Sequence, residues 1–137
     1  MFKHVMVPVD LHVPPEVSKA TDVAAEMAKW QGAKITIVSV TGTGVSDAPH
    51  TPEAISEALA SMSTKVGEKS GGEVEVLNVT SHDIAVEVDA ALMRAADQIG
   101  ADLIVVGTHA PRITDYILSS HTSHLAKHAS VSVFVVR

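Results

Sequence analysis

Short runs of β-branched, apolar residues alternate along this chain with stretches whose apolar residues recur at helical spacing, and that alternation leaves few folds open. Val5-Met6-Val7-Pro8-Val9 reads as a strand buried on both faces, with Pro8 at its C-terminal end because proline cannot donate to a ladder. Pro14-Pro15-Glu16 opens a helix whose apolar face is Val17, Ala20, Ala24, Met27 and Ala28, closed by Gly32. Residues 33–40 form a second buried strand, and 41–50, including the Gly42 and Gly44 pair, has no hydrophobic period and reads as a loop. Pro52-Glu53 starts a second helix with Ile55, Ala58, Leu59, Met62 and Val66 on one face, ended by Gly71-Gly72. In Glu73-Val74-Glu75-Val76 charge alternates with valine, the pattern of a half-exposed edge strand. A third helix follows from Asp83, carrying Ile84, Val88, Leu92, Ala95, Ala96 and Ile99 and ending at Gly100. Residues 102–106 and 131–136 supply the fourth and fifth strands. Helical crossovers between successive strands require a parallel sheet, so the expected fold is a single α/β domain over residues 1–137 with helices on both faces.

Composition narrows the function. Ten Lys and Arg against 16 Asp and Glu give a formal charge of −6, and no basic run is present, which argues against a nucleic-acid or anionic-membrane partner. The absence of cysteine excludes disulfide and thiol chemistry and fits a reducing compartment. The opening residues run into a strand too short for a signal-peptide core, so the expected location is cytoplasmic. Aromatic residues are only 3% of the chain, and Trp30 and the methionines read as core or near-core.

The richest chemistry lies in residues 103–137. The run Leu103-Ile104-Val105-Val106 ends on Gly107, and a Thr- and Ser-rich segment then leads into a short helix, an arrangement that can turn free N–H groups toward an anion such as phosphate. Gly107, two residues, Ala110, eight residues, the Ser119-Ser120 pair, and Leu125-Ala126-Lys127-His128-Ala129 before a Val-rich strand resemble the C-terminal signature of the universal stress protein family. That signature has Gly where this chain has Ala110 and Ser119, and one bacterial subgroup has Asn where it has His121. The resemblance spans the full length and implies a Rossmann-like, five-stranded sheet in the order 3-2-1-4-5. In that order the direction of the connections reverses between strands 1 and 4, where open sheets bind ligands, and Asp10 and Gly107 stand at those two strand ends.

The resemblance further implies an adenine-nucleotide site. Pro8, Val9, Asp10 and the backbone of Val40 would meet the base and ribose. Gly107, Thr108, His109, Ala110, Ser119, Ser120, His121 and Thr122 would meet the phosphates, with ATP, AMP or ADP as ligand. Arg112 adds positive charge, which Asp115 opposes unless a Mg²⁺ ion intervenes. A plain strand-to-loop turn is the bland reading of residues 107–110, and loop or helix capping that of Asp10. Left-handed backbone at a non-glycine residue costs roughly 1 kcal/mol, so Ala110 and Ser119 weaken a phosphate loop without abolishing it.

His121, His124 and His128 fall at i, i+3 and i+7 and invite a zinc reading, but their helix holds no acid or cysteine to complete a set. A solvated histidine face is therefore expected, and no metal. At the other edge of the implied order, residues 131–136 are apolar at nearly every position, so a homodimer is expected through Val131, Val133, Phe134 and Val135.

Three function classes remain. The first is an adenine-nucleotide-binding stress-response module, a homodimer answering to a regulatory protein partner and not an enzyme beyond slow incidental ATP hydrolysis. The second is a nucleotide-free dimeric scaffold whose altered glycines have closed the pocket. The third, an enzyme or phosphorelay protein, is disfavoured. The chain has no Gly-x-x-x-x-Gly-Lys loop, no Gly-x-Gly-x-x-Gly fingerprint and no Gly-x-Ser-x-Gly elbow, and it lacks a receiver domain's acid cluster.

Overall fold

Five strands form one parallel sheet, in the order β3-β2-β1-β4-β5. The computed structural model describes residues 1–11, 19–42, 51–107 and 121–137, without the side chains of residues 84, 85 and 121–123. The strands are β1 (His4–Val9), β2 (Lys34–Gly42), β3 (Val74–Ser81), β4 (Leu103–Gly107) and β5 (Ser132–Val136). The helices are α1 (Lys19–Gln31), α2 (Pro52–Ser70), α3 (Ile84–Ile99) and α4 (His121–His128). The expected start of the first helix at Pro14-Pro15-Glu16 lies outside the described residues, as does 43–50.

Strand order follows burial. Val5, Met6 and Val7 of β1, Ile35, Ile37 and Val38 of β2, and Ile104 and Val105 of β4 are fully buried, because each of these strands has a neighbour on both sides and helices above and below. Burying each such side chain contributes about 1.5–3 kcal/mol. Alternation splits them between two cores. Val5, Val7, Ile35, Ile37 and Val105 pack with the alanines of α1 and with Ile55, Leu59, Met62 and Val66 of α2. Met6, Val38 and Ile104 pack on the other face against Val88, Leu92 and Ala95 of α3 and Leu125 of α4.

Local chemistry sets the helix ends. Thr51 Oγ1 accepts the N–H of Ala54 at 3.2 Å, and Pro52 occupies the first turn of α2. Gly71 closes that helix in left-handed geometry (φ 69°), and Gly100 closes α3 likewise (φ 70°), a conformation that costs a residue with a Cβ.

Three expectations change. Strand β2 runs on through Thr41 and Gly42, placed in the loop by their composition, because β3 continues beside them and pairs Thr41 with Thr80 and Gly42 with Ser81. For the same reason β3 reaches Ser81, well beyond the Glu-Val alternation. Trp30 is 81% exposed and not core: at about 100° per residue it lies roughly 200° around α1 from Ala28, which faces the sheet. Met1 is also exposed, while Met6 and Met62 are buried as expected.

Candidate functional site

The pairing of β1 with β4 is short. It joins Val5 to Leu103 and Met6 to Ile104 and stops there, although β1 continues to Val9 and β4 to Gly107. On the outer sides pairing persists to the strand ends, β1 with β2 to Val9 and Ser39 and β4 with β5 to Gly107 and Val136. Ladder pairing of β1 with β4 therefore ends short of the C-terminal rim, where the strand order reverses.

Several predicted residues stand at or near the strand ends along this rim. Pro8 and Val9 end β1, and Asp10, half-buried, follows directly. Val40 lies one residue beyond the last β1–β2 pair, so residues 40–42 of β2 extend past the end of β1 at the same rim. Gly107 ends β4, half-buried over Ala20 of α1, and a Cβ added to it would stand 3.4 Å from the Ala20 Cβ. Its φ is not positive, so what glycine provides here is room for a close approach to the backbone and not left-handed geometry.

Other predicted residues are not all placed. Thr108, His109, Ala110, Ser119 and Ser120, with Arg112 and Asp115, lie outside the described residues. His121 and Thr122 open α4, their side chains undescribed. Of the residues expected at the dimer edge, Phe134 (45%) and Val135 (36%) are exposed, whereas Val131 and Val133 are half-buried against the α3–α4 core.

The structure also assembles groups the sequence reading did not join. The Ser39 and Thr41 hydroxyls both donate to Asn78 Oδ1, at 2.8 and 3.2 Å, fixing the amide at the rim where β2 and β3 end. Ser39 and Thr41 at i and i+2 on a strand share one face, a relation hidden while Thr41 reads as loop. Nearby, the Ser81 hydroxyl donates to Glu87 Oε2 at 2.6 Å and holds that carboxyl below its usual range. At the opposite rim His4 is 5% exposed, its Nε2 2.7 Å from Thr36 Oγ1. Burial lowers the His4 pKa first and the Lys34 charge second, against partial compensation from Glu75, the Ile99 carbonyl and Asp102. On the α3 side, Asp89 lies 3.3 Å from His124 Nδ1, and the rings of His124 and His128 are 4.4 Å apart.

The chain matches the family model described as the universal stress protein family over residues 1–137. Among curated relatives, universal stress protein G of Shigella flexneri is 40% identical over 42 residues, a match that spans 31% of this chain and 30% of that protein. Universal stress protein G of Salmonella typhimurium aligns end to end, 26% identical over 145 residues and covering 100% of both chains. Among solved structures, a universal stress protein in complex with cAMP superposes with a TM-score of 0.71 at 23% identity, covering 99% of this chain and 97% of the other. A universal stress protein from Archaeoglobus fulgidus in complex with dAMP gives 0.67 at 20% identity, covering 98% of each. These likenesses share the Rossmann-like α/β fold. Among the described residues no helix is long and apolar enough to cross a membrane.

Proposed function

The chain belongs to the universal stress protein family, and from that premise we propose that it is an adenine-nucleotide-binding stress-response module, with ATP as the fullest ligand, acting as a homodimer. The observation that carries this reading is the end of β1–β4 pairing at Met6 and Ile104, where the strand order reverses, with Asp10, Val40 and Gly107 at the rim beyond it. Two solved relatives of the same fold hold adenine nucleotides, cAMP and dAMP. In this reading Pro8, Val9, Asp10 and the Val40 backbone receive the base and ribose. Gly107 lets a phosphate reach backbone N–H groups, and Thr108, His109, Ala110 and Ser119 to Thr122 complete the phosphate loop, with Mg²⁺ accompanying a triphosphate.

In this reading the protein's role is to bind the nucleotide, with at most slow incidental ATP hydrolysis. The exposed Phe134 and Val135 of the edge strand β5 support pairing with a second copy. The cytoplasm is the proposed location, with an effector protein reading the dimer.

Calorimetric titration of ATP, ADP and AMP into ligand-stripped protein, with and without Mg²⁺, tests the reading. Micromolar affinity that weakens as phosphates are removed is expected. No heat and no thermal stabilisation at millimolar ATP would instead favour the nucleotide-free scaffold, in which Ala110 and Ser119 have closed the phosphate loop.

A further inference from the structure

We infer that the exposed face of α4 carries a site for a borderline transition-metal dication such as Zn²⁺ or Ni²⁺, held by His124 and His128 and oriented by Asp89. This inference is independent of the nucleotide reading. Considered alone, α4 supplies imidazoles and no acid, which left its histidines as a solvated face. The fold changes that, because α3 packs beside α4 and brings Asp89 to 3.3 Å from His124 Nδ1.

The chemistry follows from that contact. The Asp89 side chain is only 13% exposed, so its carboxylate is held in place and keeps the hydrogen of a neutral His124 on Nδ1. The lone pair is then on Nε2, on the side of the ring away from Asp89. A carboxylate behind a ligating imidazole is the usual outer support of a histidine–metal bond, fixing both tautomer and ring direction. The His124 side chain is 51% exposed, which gives an ion access. His128, one turn on, brings a second imidazole with its ring centre 4.4 Å from the first and the planes tilted by 33°. Two histidines at i and i+4 on one helix face can chelate a single ion.

The donor set selects the metal. Imidazole nitrogen favours Zn²⁺, Ni²⁺ and Cu²⁺ over Mg²⁺ or Ca²⁺, which need oxygen ligands. Among the described residues no three His, Asp or Glu side chains form a closed cluster, so this is an open two-imidazole site with remaining positions for water. An ion there would clamp one full turn of α4.

The test is titration of NiCl₂ and ZnCl₂ into tag-free, chelator-treated protein, followed by calorimetry and by ¹⁵N spectra of the imidazoles. Expected is one ion per chain with micromolar affinity, metal-induced shifts of the Nε2 resonance of His124, and no response to MgCl₂. His124→Ala and His128→Ala should each weaken binding by about tenfold or more, and Asp89→Asn by about tenfold, the low end for an outer-shell partner. Asp89→Asn should also mix the His124 tautomers in metal-free protein, a readout that lost packing alone would not move. Circular dichroism and melting of metal-free His128→Ala should match the parent, since that residue is exposed. Parent binding no tighter than that of the His124→Ala/His128→Ala double variant, or affinity retained in His128→Ala, would overturn the site.

Discussion

Replacing Gly107 with valine separates the fold from the proposed phosphate contact. The backbone there is not left-handed, so a side chain carries no conformational penalty. The first added carbon would stand 3.4 Å from the Ala20 Cβ, an ordinary contact, so Gly107→Ala should fold with a melting temperature close to the parent's. Valine adds two further methyls beside α1, and overpacking of that kind costs about 1–3 kcal/mol. For a domain of this size each kcal/mol lowers Tm by roughly 3–5 °C.

The ligand should be hit separately. A phosphate oxygen accepting a backbone N–H lies about 2.9 Å from the nitrogen. Valine methyls at that position exclude it, and losing a hydrogen bond to a charged group costs about 1.5–3 kcal/mol, roughly a ten- to hundredfold rise in Kd for ATP. Calorimetry on Gly107→Ala and Gly107→Val, beside their melting curves, gives both quantities. A folded Gly107→Val protein that binds ATP as tightly as the parent would place the phosphates elsewhere and refute the reasoning.

Two further expectations concern the sheet edge and acid stability. Phe134→Asp should convert a dimer to monomer in light scattering with little change in melting, because Phe134 is exposed on the edge strand. Val133→Asp should instead lower stability by several kcal/mol, because Val133 packs against the α3–α4 core; a Phe134→Asp protein that dimerises as tightly as the parent would move the interface off β5. His4 has a folded-state pKa below its ordinary 6.5 because it is buried beside Lys34. The unfolded chain therefore takes up the proton first as pH falls, so the contribution is fully present above about 6.5 and is lost as pH drops through 6.5 toward the folded pKa. Urea denaturation at pH 7.5 and 5.5 should show that loss in the parent and a smaller one in His4→Gln; equal slopes in the two would reject the assignment.

The residues of the rim were legible in the sequence because Asp10 and Gly107 stand immediately after apolar runs, so naming the strands placed them at strand ends. Where the β1–β4 pairing ends was not legible. That β1 and β4 pair only at Val5 and Met6 depends on how two segments about 98 residues apart twist past one another, and no local pattern encodes it. The Asp89–His124 contact was hidden for a similar reason: each residue reads as a surface position on its own helix, and only helix packing joins them. Trp30 misled because hydrophobicity predicts burial in general, while its angular position on α1 turns it outward.

What the sequence determined by itself was therefore whatever neighbours along the chain can enforce. Apolar β-branched runs became central strands, the Glu-Val alternation became the edge strand β3, and glycines at 71 and 100 ended helices where a left-handed residue is needed. Tertiary structure decided how far strands extend and which side chains meet. Residues 41 and 42, loop-like in composition, are strand because β3 offers them hydrogen bonds, and His4 is buried because Thr36, 32 residues away, satisfies its ring nitrogen. Local preferences are worth tenths of a kcal/mol to about one per residue, whereas a ladder partner or a buried polar contact contributes that much or more, so packing prevails where the two disagree.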